Sequence, residues 1–344
     1  MRSPTTHAPG LGWFAGSALL GVALGALAAR RDPPTRSALV TGGSRGLGFL
    51  LAREYQRRGA RVAICGRDAE TLRRAKAQLD AVGPPVFATK CDVSSRSEVD
   101  ELVEAASRAL GGIDTLVNNA GIIGVGPDVH MTFGDYEEAM RVNFFGALHV
   151  TRAVLPQMRG RRRGRVVNVA SIAGLVPVPH MLPYTASKFA LTGWSEGLRA
   201  ELAIEGIRVT TICPALMRTG SPRHASFKGR HREEYAWFSV ADATPGVTIG
   251  AERAAARIVR AGERGRARLV LPVYMQLPAA LHALAPGLTL GVLAGTHALL
   301  PAPGGIGPHA RKGHESESRW SPSVLTALDE RAARRFNQLG AAAP

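Results

Sequence analysis

Apolar residues in this chain gather in short β-branched runs, and the stretches between them mix apolar and charged positions at helical spacing. The runs are Ser37 to Thr41, Arg61 to Cys65, Val86 to Cys91, Thr115 to Val117, Val166 to Val169, Val209 to Cys213 and Arg268 to Leu271. A Gly-rich turn after the first run opens a helical stretch that continues to Arg58, and a charged helical stretch covers Ala69 to Ala81. Strands alternating with helices predict an α/β fold: a single Rossmann-type, doubly wound parallel sheet with helices on both faces. Crossovers of one hand set which helix covers which face. The pattern divides the chain into an apolar segment and linker over 1–36, the Rossmann-type domain over 37–272, and an apolar helical extension with a tail over 273–344.

The flanks differ from the domain. Leu11 to Ala29 carries no charged residue and is about long enough to cross a hydrocarbon core of ~30 Å as a helix. Arg30, Arg31 and Arg36 follow it, whereas Arg2 is the only charged side chain before it. That order favours an anchor with the domain on the cytoplasmic side, with a soluble cytoplasmic protein as second choice. A cleaved signal peptide ending near Ala26-Leu27-Ala28, or a segment lying on a surface, stays open. Beyond Pro272, Met275 to Leu300 is apolar but broken by Pro278, Pro286 and Gly287, so each piece is too short to span. A helical hairpin on a membrane, a lid over an apolar substrate, or helices packed on the domain or a partner subunit all fit. The tail after Pro301, rich in Gly, Pro, Ser and Arg, predicts a mobile segment.

Composition narrows the function classes. The 344 residues are 45% apolar, enough for a globular core, and the formal net charge of +16 is carried mainly by arginine. Such a charge suits nucleic acid or an anionic surface, but no nucleic-acid module accompanies it and few aromatics lie near the basic runs. No nucleic-acid partner is expected. The run Arg159 to Arg165 reads as a solvated loop that could meet anionic lipid on an anchored protein. Cys65, Cys91 and Cys213 end apolar runs, have neither metal-site nor redox-pair spacing, and read as buried reduced thiols; no metal is expected.

The first strand runs into Thr41-Gly42-Gly43-Ser44-Arg45-Gly46-Leu47-Gly48. Glycines between a strand and a helix allow backbone N–H groups to approach a pyrophosphate at the helix N-terminus. The three residues between Gly42 and Gly46 resemble the short-chain dehydrogenase/reductase (SDR) family. NAD-preferring enzymes place an acid after the second strand; here Gly66 and Arg67 stand there, with Arg45 in the turn. Two guanidinium groups suit a 2′-phosphate, so NADP(H) is the expected cofactor. Asp68 comes slightly too late and reads as the cap of the next helix.

Tyr184-Thr185-Ala186-Ser187-Lys188 puts a phenol and an ammonium on one helix face, where the cation would favour the phenolate. Ser171 ends a strand-like run, which brings its hydroxyl to the carboxyl edge of the sheet where ligands bind in such folds. Asn118-Asn119-Ala120-Gly121 follows the fourth strand, and Asn143 lies on a helix. In order and spacing these segments match the SDR pattern over Ser37 to Leu271.

The resemblance implies roles. Tyr184 would exchange the proton with a carbonyl or alcohol oxygen, Lys188 would lower the Tyr184 pKa and hold the nicotinamide ribose, Ser171 would orient the carbonyl, and Asn143 would hold a water in a proton relay. Gly42, Ser44, Arg45, Gly46, Leu47, Gly48 and Arg67 would bind the phosphates. Asp92 and Val93 would contact adenine, and Asn119, Ala120 and Gly121 would form the sheet edge beside the cofactor. Pro214, Ala215, Met217 and Thr219 match the loop near the nicotinamide amide, with Ala215 where Gly is usual. The implied reaction is NADP(H)-dependent interconversion of a ketone or aldehyde with an alcohol. Its substrate would be small and apolar (acyl, sphingoid, steroid or polyketide-like), and its assembly a homodimer or homotetramer, with membrane association from the flanks. A non-catalytic dinucleotide-binding scaffold at the membrane is the competing reading. His180, just ahead of Tyr184, reads as a solvated loop histidine, and Trp237 and Phe238 fall where SDRs cover their substrate, as packing or as contacts.

Overall fold

A computed structural model describes residues 33–244 and 248–339; Leu11 to Ala29 lies outside them. Seven strands form one parallel sheet: β1 Ser37–Thr41, β2 Arg61–Gly66, β3 Phe87–Lys90, β4 Thr115–Asn118, β5 Gly164–Val169, β6 Ile207–Pro214 and β7 Arg268–Leu271. Their order across the sheet is β3-β2-β1-β4-β5-β6-β7. The order reverses at β1, which pairs with β2 on one side and β4 on the other, Val40 lying opposite Ile64 and Val117. A crevice opens at such a switch point, beyond the carboxyl ends of the strands.

Both faces of the sheet are covered, so its strands are apolar on both sides rather than alternating. On one face α1 Gly46–Arg57 and α2 Ala69–Asp80 contribute Leu50, Leu51, Tyr55 and Leu72 to a core with Val40 and Ile64. On the other, α3 Arg96–Leu110 and the helical run after β4 contribute Leu102, Val150 and Met158 to a core with Leu39, Leu116 and Val166. Burying each such side chain stabilises the fold by about 1.5–3 kcal/mol. Asp68 caps α2 by accepting from the Thr71 N–H at 2.7 Å, as its position predicts.

The helix that carries Asn143 is interrupted. α4 Phe133–Met140 continues through a π-helical turn, Arg141–Phe145, into α5 Gly146–Gly160. The wide turn offsets Asn143 from the regular helical ladder, a device common at functional sites. Next come α6 Leu182–Leu202, α7 His231–Ala243 and α8 Ala251–Glu263, the last beside α1.

After β7 the short α9 Gln276–Leu284 and α10 Pro286–His297 form a hairpin with a bend of 117°. Among the described residues no single helix is long and apolar enough to cross a membrane. The tail, expected to be mobile, instead folds back as a packed segment ending in α11 Ala327–Arg335, with Ser316, Ser321, Asp329 and Phe336 buried. One further expectation changes in part. Arg159, Arg161, Arg162 and Arg163 are exposed as a solvated run predicts, but Arg165 is buried in β5, and Arg161 donates to the Ile113 carbonyl at 2.7 Å. All three cysteines are free and buried, as expected, and the neighbouring Cys65 together with burial pushes the Cys91 thiol up.

Candidate active site

The crevice at the switch point is a cavity of about 810 Å³, within the usual range of ligand sites. One end is built by the turn between β1 and α1. Gly42 has φ +62 and Gly46 φ +55, a left-handed backbone that glycine adopts without strain. A Cβ on Gly48 would collide with the Gly42 carbonyl oxygen, so the turn closes only with glycine there. Asn119 braces it from the end of β4, its side-chain amide donating to the Thr41 and Gly42 carbonyls at 3.1 and 3.2 Å. The result is a helix N-terminus at the cavity wall, with the Gly46 N–H taken by the Phe336 carbonyl at 2.8 Å.

Ser44, Arg45, Leu47, Arg67, Asp92, Val93, Ala120 and Gly121 also line the cavity. Burial, with Arg67 beside it, holds the Arg45 guanidinium below its ordinary range. Both arginines line the phosphate end, where their mutual repulsion would be relieved by a dianionic ligand. Asp68 is occupied with Thr71, as a cap.

At the other end, Ser171 follows β5, Tyr184 and Lys188 lie on α6, and all three line the cavity. Burial raises the Tyr184 phenol, and the neighbouring Ser171 hydroxyl opposes the rise. Lys188 donates to the Val169 carbonyl at 3.1 Å, and its ammonium lies 5.5 Å from the Tyr184 ring centroid. Burial brings Lys188 down to about 8, opposed by the nearby Cys213. Burial is thus the larger influence on the Tyr184 phenol, and the Lys188 ammonium stands close to its ring.

Pro214, Ala215, Met217 and Thr219 line the same cavity after β6. Ala215 has no left-handed φ and donates to the Leu271 carbonyl at 2.6 Å, so alanine is accommodated where glycine is usual. Asn143 lies behind the wall. Its Oδ1 accepts from the Ile122 N–H at 2.8 Å, and its amide donates to the Ile122 carbonyl and the Ser187 hydroxyl at 3.1 and 2.9 Å. The side chain thus fixes the loop under Lys188 rather than presenting itself to the cavity.

His180 is a correction. It is buried, has φ +61, and its Nδ1 meets Glu234 at 2.8 Å instead of water. Glu234 also accepts from the Trp237 indole N–H at 2.7 Å, so the pair ties the loop before Tyr184 to α7. Trp237 and Phe238 line the cavity with Ile123, Val178, Met181 and Leu216, an apolar wall. Met275, Lys312, His314 and Gln338 reach it from the extension, and His224 from the loop after β6. None of these five has a local signature, because each arrives from a distant part of the chain.

The short chain dehydrogenase family model matches residues 36–227. Dehydrogenase/reductase SDR family member 4 of Homo sapiens is 37% identical over 196 residues, covering 56% of this chain and 70% of that protein. Ketoacyl reductase HetN of Nostoc sp. is 35% identical over 179 residues, covering 52% of this chain and 62% of its own. A crystal structure of an actinorhodin polyketide ketoreductase variant with NADPH superposes with a TM-score of 0.62 at 31% identity, covering 69% of this chain and 95% of that one. The family match spans β1 to β6, with the Gly-rich turn and the segments that carry Ser171, Tyr184 and Lys188, and the chain belongs to the short chain dehydrogenases, oxidoreductases that work with a nicotinamide dinucleotide.

Proposed function

We propose that the protein is an NADP(H)-dependent carbonyl reductase, running the ketone or aldehyde to alcohol interconversion mainly toward the alcohol on an apolar substrate. The observation that carries this reading is the joining, in one cavity, of an arginine-lined phosphate end and the Ser171, Tyr184 and Lys188 set. A bound NADPH supplies the hydride that goes to the carbonyl carbon. Ser171 orients the carbonyl oxygen, and Tyr184 gives that oxygen its proton. Lys188, with an ammonium brought down to about 8, is placed to hold positive charge beside the phenol as it ionises. Asn143 keeps the Ile122 loop and the Ser187 hydroxyl in register beneath it.

The apolar wall of Ile123, Val178, Met181, Trp237 and Phe238 suits an acyl, sphingoid, steroid or polyketide-like chain. The names of the ketoacyl and polyketide ketoreductase relatives favour a keto group on such a chain. The α9–α10 hairpin exposes Leu277, Leu284 and Leu288, and no Asp, Glu, Lys or Arg occurs between Arg268 and Arg311. It would lie on a bilayer with Met275 at the cavity wall, and the charge order around Leu11 to Ala29 would put the domain on the cytoplasmic side. A homodimer or homotetramer is in keeping with the family.

The cofactor reading is tested by comparing kcat/KM for NADPH and NADH on one ketone. At least a tenfold NADPH preference, about 1.4 kcal/mol, is expected, falling away in Arg45→Glu. A preference for NADH in the wild type would overturn the roles of Arg45 and Arg67.

A further inference from the structure

The segment after α11 crosses the cofactor cleft from wall to wall. On the side of the Gly-rich turn, the Gly46 N–H donates to the Phe336 carbonyl at 2.8 Å. The Asn337 amide donates to the Ser44 carbonyl at 2.7 Å and to the Thr71 carbonyl at 2.9 Å. Asn337 has φ +57, a left-handed backbone that asparagine tolerates better than most residues, and this turns its amide inward. On the opposite side, the Gln338 amide donates to the Thr219 carbonyl at 3.0 Å, and Asp329 accepts from the Gly220 N–H at 2.7 Å. One short stretch of chain therefore fastens both lips of the cleft.

The same segment reaches the phosphate end. His224 contacts the Gln338 carbonyl through Nε2 at 2.9 Å and Arg45 Nη1 through Nδ1 at 3.1 Å. Arg45 can only donate, so Nδ1 is the acceptor and Nε2–H the donor to Gln338. Burial and the nearby Arg45 bring His224 down to about 4, which keeps the ring neutral and that relay intact at neutral pH.

The crossing leaves the cleft open beneath it. A cavity of about 810 Å³ persists with the segment in place, and Leu47, Arg67, Asp92, Ser171 and Tyr184 stay on its walls, with Gln338 as a further part of the wall. The segment takes one donor of the Gly-rich turn, the Gly46 N–H, and leaves the rest of the cavity open.

We propose that residues 329–338 are a clasp on the cofactor cleft, closing over bound NADP(H) and, through Gln338 and His224, holding Arg45 in place for the 2′-phosphate. The clasp rests on the reading of the cleft as an NADP(H) site. Asn337, Gln338 and His224 are positioning residues. Two consequences follow from the geometry: the dinucleotide leaves only when the clasp opens, and loosening it weakens the choice of NADPH over NADH as well as retention.

The test uses the full chain and its Asn337→Gly/Gln338→Ala variant, which keeps α11 and the left-handed turn while removing both amides; a chain ending at Thr326 is the stronger perturbation. NADPH release is followed by nicotinamide fluorescence on mixing with excess NADP+, alongside kcat/KM for both cofactors and the Tm of the cofactor-free proteins. In the double variant, release at least tenfold faster (about 1.4 kcal/mol) and a several-fold lower NADPH preference are expected, at a nearly unchanged Tm. If the truncated chain does not fold, the double variant still decides the matter. Release at the wild-type rate overturns the clasp, as does faster association with unchanged release, the behaviour of a plug. A wild type that binds no NADPH would overturn the cofactor reading itself, and the clasp with it.

Discussion

The hairpin Gln276–His297 and the tail Arg311–Gln338 both follow β7, and they behave as opposites. The hairpin is apolar and mostly exposed, with Leu277 at 74% and Leu284 at 85%. The tail is polar and exposed over much of its length, but its last turn is folded inward, with Asn337 at 5% and Gln338 at 6%. The difference lies in what each can satisfy. The hairpin has its backbone bonds within its own helices, so it needs only an apolar medium on its outer face. The tail carries amides and carboxyls whose burial is tolerated only with partners, and the open backbone groups of the Gly-rich turn and the Thr219 loop supply them. A polar sequence can thus belong to the interior of a site while an apolar one faces outward.

Exchanging the character of the two regions should separate their roles. Leu277→Glu/Leu284→Glu/Leu288→Glu puts charge where bilayer contact is proposed. Retention on phospholipid vesicles should fall at least tenfold, each tenfold being about 1.4 kcal/mol, while kcat/KM on a water-soluble ketone stays within about twofold. An equal loss in both measurements would show the hairpin to be a structural part of the site.

A smaller effect is expected where the tail is fastened to α7. Burial, with the Asp329 carboxylate beside it, raises the Asp242 carboxyl well above its ordinary range, and burial also raises Asp329. Arg218 and Arg223 act in the opposite sense and Glu330 in the same one. A carboxyl raised on folding contributes stability below its unfolded pKa and loses it as the pH rises through the folded one. NADPH release should therefore quicken as the pH rises above the carboxylate range, and Asp242→Asn should flatten that dependence. A flat wild-type profile would separate the carboxyl pair from the clasp.

The sheet was legible because buried parallel strands read as unbroken β-branched runs, and the cleft because its glycines, arginines and Tyr-x-x-x-Lys pair have local spacing. Other features were hidden for stated reasons. Asn143 sits on a π-turn, which has no periodic signature of its own. His180 looked solvated because its partner, Glu234, lies on another helix. The tail looked mobile because Gly, Pro and Ser ordinarily mark loops, whereas Asn337 bonds Ser44 across 293 residues of sequence. Polar pairing over such separations leaves no pattern along the chain.

The proposed reaction rests on Tyr184, and Tyr184→Phe tests it most directly. NADPH consumption with a reducible ketone should fall by ~10²–10⁴-fold while NADPH binding, read by fluorescence titration, stays near the wild-type level. Turnover retained at the wild-type rate in that variant would contradict the assignment of Tyr184 as the proton donor.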